Sequence, residues 1–257
     1  MVGKKLSEAR IAIIDAGAAN VAIARLLIAP GVRPRNIIMV DSKGTLHKNR
    51  RDLEQTFPKK WALCQITNSQ EKEGDMGVAM AGADASVAMS RPGPGVITRE
   101  LVAKMNDRAI VFACANPIPE IWPWEAEEAG AVVVATRRSD FPNQLNNSLG
   151  FPGVFRGTLD VRATIITDQM CLAAAFELPT LDEERGLSEK YIIPTMDGWQ
   201  VFPREATAVA DKAIEQGVAR LKRTKEELYA TARSIIKGAR EEERFLMRSG
   251  FIQEFPT

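Results

Sequence analysis

The chain has 257 residues, of which 45% are hydrophobic and 26% charged, a composition typical of a folded globular protein and not of a disordered one. Its 34 Lys and Arg residues nearly balance its 33 Asp and Glu residues, so no strong overall field draws it to nucleic acid or to an anionic membrane. No apolar run approaches the roughly 18 residues of a membrane-spanning helix. The first ten residues also lack the apolar centre of an export signal. We therefore expect a cytoplasmic protein that binds neither nucleic acid nor membrane.

The cysteine and histidine content limits the chemistry further. Cys64, Cys114 and Cys171 are scattered and form no CxxC pair, which predicts reduced thiols and neither disulfides nor a zinc site. The one histidine, His47, argues against a histidine-rich metal site and against a triad centred on histidine.

The first 135 residues alternate short apolar segments with helical patterns. Strands are predicted at Arg10–Ile14, Asn36–Val40, Ala62–Ile66, Ala85–Met89, Ile110–Ala113 and Ala131–Ala135. Helices are predicted at Ala18–Ala29, Arg51–Phe57, Met76–Ala81 and Thr98–Met105, the last capped by Thr98. Strands with few charges, separated by helices, indicate βαβ units and a parallel sheet buried on both faces. We therefore predict an α/β fold with a Rossmann-type doubly wound parallel sheet and additional C-terminal helices.

The pattern changes after Ala135. We predict, in order, an ordered loop at Thr136–Arg156, a long helix at Thr158–Leu178, a loop at Pro179–Pro203 with the charged stretch Asp182–Arg185, and closing helices at Arg204–Arg220 and Thr224–Arg248. We expect one domain over residues 1–221 and a charged helical extension over residues 222–257.

The clearest chemical motif spans Ile13–Asn20, at the junction of the first strand with the first helix. This is where the G-x-G-x-x-G fingerprint of dinucleotide-binding folds lies, with a tight turn and a helix N-terminus directed at the pyrophosphate. Gly17 fits the middle glycine, so we expect Gly17, Ala18 and Ala19 to contact the cofactor. Asp41 lies 24 residues after Gly17, at the end of the second strand, where a carboxylate binds the ribose hydroxyls and favours NAD.

Two of the three glycines are missing, because Asp15 and Asn20 replace them. A carboxylate about 4 Å from a phosphate charge costs about 4 kcal/mol at an effective dielectric near 20, so we predict weak binding. The alternative is a Rossmann fold that has lost its cofactor. Basic residues after the second strand favour NADP if they pair with a 2′-phosphate, and otherwise form a solvated loop: Lys43, His47, Lys48, Arg50 and Arg51.

Five later segments carry a family resemblance. They are Ser90–Ile97, Val111–Glu120, Arg138–Gln144, Asn146-Asn147 and Phe151–Gly157. Together they resemble the NAD-binding domain of malic enzyme, most closely the short prokaryotic type, from about Arg10 to about Arg220. The resemblance implies that residues 1–221 are a dinucleotide-binding domain serving the oxidative decarboxylation of malate to pyruvate.

The resemblance also implies ligands. In the family, the Asn of the Asn-Pro element and one of the later Asn-Asn pair contact malate, which are Asn116 and Asn147 here, with Asn146 beside it. Arg91, Pro92 and Asn116 lie beyond the carboxyl ends of predicted strands, where open α/β sheets bind ligands, so we expect them near the cofactor. The alternative roles are a turn for Asn116 and loop hydrogen bonds for the Asn pair. Arg137 stands where the family commonly has Gly and would either close the cleft or pair with an anion.

The chain does not carry the rest of the family's machinery. Malate decarboxylation needs a base, a divalent metal and an acid, which the family places upstream of the first Rossmann strand, whereas nine residues precede Arg10 here. We therefore predict no catalytic residue and no metal ligand in this chain, with a metal present only if a partner chain supplies its ligands.

Three hypotheses follow. The chain is one half of a split malic enzyme, a degenerate binding or regulatory module, or an intact oxidoreductase with other catalytic residues; a fragment of a longer protein is a further reading. We also expect a homo-oligomer, with the helix Thr224–Arg248 or Trp122, Trp124 and Trp199 at an interface, although core or loop packing explains the tryptophans equally well.

Overall fold

The computed structural model describes residues 2–180, 186–195 and 198–253. The chain divides into two units: one reaches to Leu145 and includes Leu187–Ile192, and the other comprises Asn146–Gly186 and the residues from Ile193 onward. The boundary predicted near residue 221 is a different division, and it stays a prediction. The stretch Asp182–Arg185 lies outside the described residues.

A six-stranded sheet forms the centre of the first unit, with the strand order β3-β2-β1-β4-β5-β6. Neighbouring strands are parallel except β3, which pairs antiparallel with β2 through Val40 and Thr45. The strands are β1 (Ile11–Ile14), β2 (Ile37–Asp41), β3 (Gly44–Thr45), β4 (Ala85–Ala88), β5 (Ala109–Ala113) and β6 (Ala131–Thr136). The chain order reverses direction between β1 and β4, so the sheet has a switch point beside β1, where such folds bind ligands.

Helices cover both faces of this sheet. Alternate residues of β1 point to opposite sides, so Ile13 packs in one apolar cluster and Ile14 in another. The helices of this unit are α1 (Ala18–Ile28), α2 (Pro58–Ile66), α3 (Met76–Met80), α4 (Arg99–Val102) and α5 (Pro123–Glu128). Val21 of α1 and Leu63 of α2 join the cluster of Ile13, while Met80 of α3 joins that of Ile14. The predicted doubly wound Rossmann-type sheet is therefore confirmed.

The second unit is helical. Its helices are α6 (Phe151–Asp160), α7 (Asp168–Glu177), α8 (Val201–Glu215) and α9 (Lys225–Arg248). Val161, Met170, Val209 and Leu228 belong to its apolar core. Gly157 of α6 lies directly against the backbone of α8, where no side chain would fit. Among the described residues, no helix is both long enough and apolar enough to cross a membrane.

Several predicted elements are wrong in type or extent. Ala62–Ile66 is part of helix α2 and not a strand; Pro58 starts this helix, and Leu63 and Cys64 are its buried residues. The predicted helix at Arg51–Phe57 reduces to a 3-10 turn at Arg51–Leu53. Helix α4 is shorter than predicted, and the Thr98 side chain makes no capping hydrogen bond.

The long helix predicted at Thr158–Leu178 is two helices. Helix α6 begins inside the predicted loop and ends at Asp160, and Arg162 has a left-handed φ of 49°. Thr167 then caps α7, because its hydroxyl accepts a hydrogen bond from the Met170 amide at 3.2 Å. Helix α8 begins before the predicted Arg204 and ends at Glu215. Helix α9 follows Thr224 as predicted.

Candidate dinucleotide site

The turn between β1 and α1 is the strand-to-helix corner that the sequence predicts. Gly17 is the residue before the helix, and the Val21 amide makes the first helical bond to the Gly17 carbonyl at 3.0 Å. Gly17 supplies no capping side chain, and the first turn carries no acidic residue. Ala18 and Ala19 are exposed. The first amides of α1 therefore face outward at the positive end of the helix dipole, an arrangement that suits a phosphate group.

Asp15 occupies the position of the first glycine of the fingerprint. Its φ is 72°, in the left-handed region where Gly is unstrained and Asp is tolerated better than most residues. The side chain is exposed, and its Oδ2 atom lies 3.6 Å from where a Cβ on Gly17 would be. The carboxylate thus stands beside the start of α1. There it would repel a bound phosphate, in agreement with the weak binding predicted from the sequence.

Asn20 replaces the third glycine, and its side chain stabilises the turn between β1 and α1 through hydrogen bonds. It is buried, and its Nδ2 donates to the carbonyl of Ile14 at 2.8 Å and to that of Asp15 at 2.6 Å. The Asn20 Oδ1 atom is buried without a hydrogen-bond partner among the described residues. The loss of this glycine therefore leaves the corner intact, because the amide holds two consecutive carbonyls of the turn.

Asp41 ends β2 as predicted, but its carboxylate is already occupied. Arg50 donates to both oxygens, from Nη1 to Oδ1 at 3.0 Å and from Nη2 to Oδ2 at 2.9 Å, and Lys60 Nζ lies 3.8 Å from Oδ2. Burial raises the pKa of Asp41, but the bonds from Arg50 and the Lys43 amide outweigh it and hold this pKa below its usual value. A ribose hydroxyl would have to share or displace Arg50. The ribose role of Asp41 stays a prediction.

The basic residues after β2 all have acidic partners. The distances run from the side-chain nitrogen to the nearest carboxylate oxygen. They are 3.1 Å for Lys43 with Asp52 and 3.6 Å for each of three further pairs: His47 with Glu73, Lys48 with Glu71 and Arg51 with Glu54. Arg50 pairs with Asp41 and Asp52. The loop is therefore largely neutralised, and a 2′-phosphate would compete with carboxylates for it.

The loops after β4 and β5 meet at the same carboxyl edge and are joined by Glu120. This side chain is fully buried. Its Oε1 accepts from the Ser90 amide at 2.8 Å and the Ser90 hydroxyl at 2.9 Å, and its Oε2 accepts from the Ala115 amide at 2.9 Å. Asn116 follows Ala115 directly, is exposed, and precedes Pro117 through a cis peptide bond. Arg91 and Pro92 are exposed on the loop that begins at Ser90.

Glu120 lies within one of the five family segments, but its residue type and position in the sequence assign it no role. A carboxylate that closes an otherwise apolar Pro-Ile-Pro segment was the available signal, since buried acids in folded proteins require hydrogen-bond donors. Glu120 thus fixes the residue that directly precedes each of two predicted ligand residues, Arg91 and Asn116.

Asn146 and Asn147 begin the second unit. Asn146 caps a 3-10 turn at Asn147–Leu149, because its Oδ1 accepts from the Ser148 amide at 3.0 Å and the Ser148 hydroxyl at 2.9 Å. The loop role considered for Asn146 is thus observed, and Asn147 is exposed. The malate-binding role of both residues stays a prediction.

Arg137 follows β6, is partly exposed and is not free of interactions. Burial raises the pKa of the Cys114 thiol to about 12, and the positive charge of Arg137, which lowers this pKa, offsets only a small part of the effect. Burial also raises the pKa of Cys64 to about 11. Cys64, Cys114 and Cys171 are free thiols in the structure.

The residues that the structure describes include no group of three or more His, Cys, Asp or Glu side chains able to hold a metal ion. They do not fit the divalent metal that malate decarboxylation requires. By contrast, the outward-facing amides at Gly17 fit the pyrophosphate of a dinucleotide.

Comparison with known proteins agrees with this geometry. The family described as malic enzyme, NAD binding domain, matches residues 1–214. The bifunctional malic/malolactic enzyme of Bacillus subtilis is 43% identical over 233 residues, which are 91% of this chain and 55% of that protein. The NADP-dependent malic enzyme of Halomonas elongata is 42% identical over 235 residues, which are 86% of this chain and 54% of that one.

A solved structure of a malic enzyme also matches this chain over about half of its own length. The crystal structure of the Entamoeba histolytica malic enzyme superimposes with a TM-score of 0.96 and 46% identity, covering 99% of this chain and 53% of that one. The chain thus spans about half the length of each of these three relatives. From the matched residues and the shared fold, the chain belongs to the malic enzyme family, of which it comprises the NAD-binding domain.

Proposed function

We propose that the corner around Gly17 binds the pyrophosphate of NAD or NADP, with Ala18 and Ala19 presenting backbone amides. The observation that carries this proposal is the uncapped N-terminus of α1, which opens at the carboxyl edge of the sheet beside its switch point. Arg91, Pro92 and Asn116 lie on loops at the same edge and complete the proposed cofactor surface.

The proposed reaction is the oxidative decarboxylation of malate to pyruvate. When bound, the nicotinamide supplies the hydride acceptor. The contribution of this chain is to bind and orient: the exposed amide of Asn116 donates to a malate carboxylate or hydroxyl, while Glu120 keeps its loop in place. Asn147 is the second proposed malate ligand, with Asn146 positioned beside it by its own turn.

The base and the metal ligands are proposed to come from residues outside the described part of this chain. The described residues hold no metal-binding group, and the Bacillus subtilis relative is nearly twice as long as the region it shares with this chain. A separate chain carrying the other half is the partner we propose. Mixing this chain with malate, NAD and Mn²⁺ should give no turnover, and turnover would require a base within this chain.

A test of the cofactor site uses the exposed first turn of α1. Ala18→Asp places a carboxylate at the helix N-terminus, which stabilises a helix by about 0.3–1 kcal/mol and repels a phosphate. We expect NAD affinity, measured by calorimetry, to fall at least about tenfold with no loss of melting temperature. Ala18→Asn is the neutral control and should bind nearly as the parent does. Equal affinity of both variants would place the pyrophosphate elsewhere.

A degenerate, non-catalytic module is the second candidate. It is favoured by the Asp15 carboxylate beside Gly17 and by the pairing of Asp41 with Arg50. The two functions differ in one measurement, because no heat and no thermal shift at millimolar NAD or NADP would support the second.

Assembly and location complete the proposal. Phe245 and Leu246 are 65% and 38% exposed on α9, and Trp124 is 47% exposed, which suits a homo-oligomeric interface. Light scattering of the purified chain tests this, with a monomer counting against it.

The proposed location is the cytoplasm. Three free thiols suit it, because cysteines stay reduced there.

A further inference from the structure

A cavity of about 280 Å³ lies at the opposite edge of the sheet from the cofactor corner. Ile11 and Ile38, at the starts of β1 and β2, form part of its wall, together with Ala83 just before β4. Since these parallel strands begin here, this amino-edge cavity is separated from Gly17 by the length of β1.

The lining of the amino-edge cavity is cationic. Arg10, Arg35 and Lys72 contribute to it, and no Asp or Glu residue does. Within the described part of the chain, none of these three side chains forms an ion pair. This is unlike the loop after β2, where every basic side chain faces a carboxylate. Asn36, Asn68, Ser69 and Gln70 supply the remaining polar lining.

The nearby acidic groups are committed to other partners. Asp84 accepts from the Arg10 amide at 2.8 Å, from Lys4 Nζ at 2.9 Å and from Asn106 Nδ2 at 2.8 Å. Glu71 and Glu73, which flank Lys72 in the chain, lie 3.6 Å from Lys48 and His47 respectively. The positive charge of the cavity is therefore not cancelled locally.

Hydrogen bonds hold this lining in place. Asn68 is buried; its Nδ2 donates to the carbonyls of Leu46 at 3.1 Å and Lys72 at 2.9 Å, and its Oδ1 accepts from the Lys72 amide at 3.0 Å. The Arg10 carbonyl accepts from the Asp84 amide at 2.8 Å, and Arg10 Nη1 lies 3.6 Å from where a Cβ on Gly82 would be. Arg10 and Lys72 are thus presented from anchored backbone, which lowers the entropy cost of binding.

We propose that the amino-edge cavity binds a small phosphoryl anion through Arg10, Arg35 and Lys72. Three cations match the two to three negative charges of a phosphate monoester or pyrophosphate, and two guanidinium groups offer paired donors to its oxygens. The volume lies just below the roughly 300–1,000 Å³ of pockets for drug-sized ligands, so the site suits a compact anion and not a dinucleotide.

The test titrates the full chain with inorganic pyrophosphate by calorimetry, with NaCl keeping the ionic strength constant. We expect saturable binding of one equivalent that excess NAD does not displace. Arg10→Gln, Arg35→Gln and Lys72→Gln should each weaken it about fivefold or more, while NAD affinity stays unchanged. Arg33→Gln is the matched control, because Arg33 is exposed close by in sequence but does not line the cavity.

The alternative outcomes are distinct. Displacement by NAD would place the pyrophosphate at the N-terminus of α1 and overturn the site, leaving the cofactor proposal standing. The absence of saturable heat would show that the cavity does not bind pyrophosphate. An equal effect of Arg33→Gln would show that the binding is nonspecific attraction to surface charge. Either result would overturn the proposed site. Citrate binding as tightly as pyrophosphate would overturn the phosphoryl class. Should Arg10→Gln lower the melting temperature, the Arg35 and Lys72 variants decide the question.

Discussion

Replacing Asp15 with Gly should tighten NAD binding. The carboxylate lies beside Gly17, at the point where the amides of α1 would receive a diphosphate. Two unit charges 4 Å apart repel by about 4 kcal/mol at an effective dielectric of 20 and by about 1 kcal/mol in bulk water. Asp15 is exposed, so its environment lies between these limits. We expect about 2 kcal/mol, which is roughly a 30-fold lower Kd.

The fold should tolerate this substitution. Gly removes the strain of a φ of 72°, but the variant loses the favourable interaction of a carboxylate with the helix N-terminus and gains unfolded-state entropy. These effects oppose one another, and we expect the free energy of unfolding to change by less than about 1 kcal/mol.

Calorimetric titration of NAD at low and high salt is the assay. Asp15→Asn is the matched control, because it removes the charge while Asn also tolerates the left-handed region. Both variants should gain affinity, and the gain should shrink in 1 M salt, where the screening length is about 3 Å. A gain for Gly with none for Asn would show that backbone strain matters and not charge. No gain for either would refute the electrostatic reasoning.

Three further predictions concern buried or paired charges. Glu120→Gln replaces one acceptor oxygen with an amide donor, which then faces the Ser90 or the Ala115 donor. The free energy of unfolding, measured in urea, should therefore fall by about 1–3 kcal/mol. An unchanged value would contradict the hydrogen bonds of Glu120. Arg50→Gln frees the Asp41 carboxylate for ribose, so the ratio of the NADP Kd to the NAD Kd should rise several-fold in parallel titrations, and a constant ratio would remove Asp41 from the site. The third concerns Glu205, which is fully buried on α8. Burial raises the pKa of Glu205 to about 9, so the stability contributed by its protonated form is fully present below pH 4.5 and is lost as the pH rises through 9. Glu205→Gln should flatten this dependence between pH 5 and pH 8 in urea denaturation, and a parallel decline in both proteins would show that other groups cause it.

The sequence predicts the parallel sheet well because buried parallel strands have a strong local signature. Ile11–Ile14 and Ala109–Ala113 contain no charged residue, and an arginine precedes each of them, so their type follows from composition alone. Ala62–Ile66 has the same short apolar character but lies in a helix, because Pro58 starts that helix and only one side is buried. A short apolar run does not distinguish these cases without its packing partners.

In the candidate site too, features formed by neighbouring residues could be predicted from the sequence, whereas contacts between distant residues could not. The corner at Gly17 is a local feature, since a strand, a turn and a helix follow one another in the chain, and its position could be predicted. The pairing of Asp41 with Arg50 and the bonding of Glu120 to Ser90 depend on residues brought together by folding. Charge and residue type alone therefore suggest a free ribose ligand at Asp41, where the structure has an ion pair.

The side chain of Asn20 has a consequence for ligand recognition. One amide group ties down the carbonyls of Ile14 and Asp15, so the chain's own bonds dictate the contour of the corner before any ligand arrives. An incoming diphosphate would meet a rigid receptor and lose little affinity to loop ordering. The Asp15 charge beside this corner opposes a diphosphate, and that charge can be altered without remodelling the backbone that Asn20 holds.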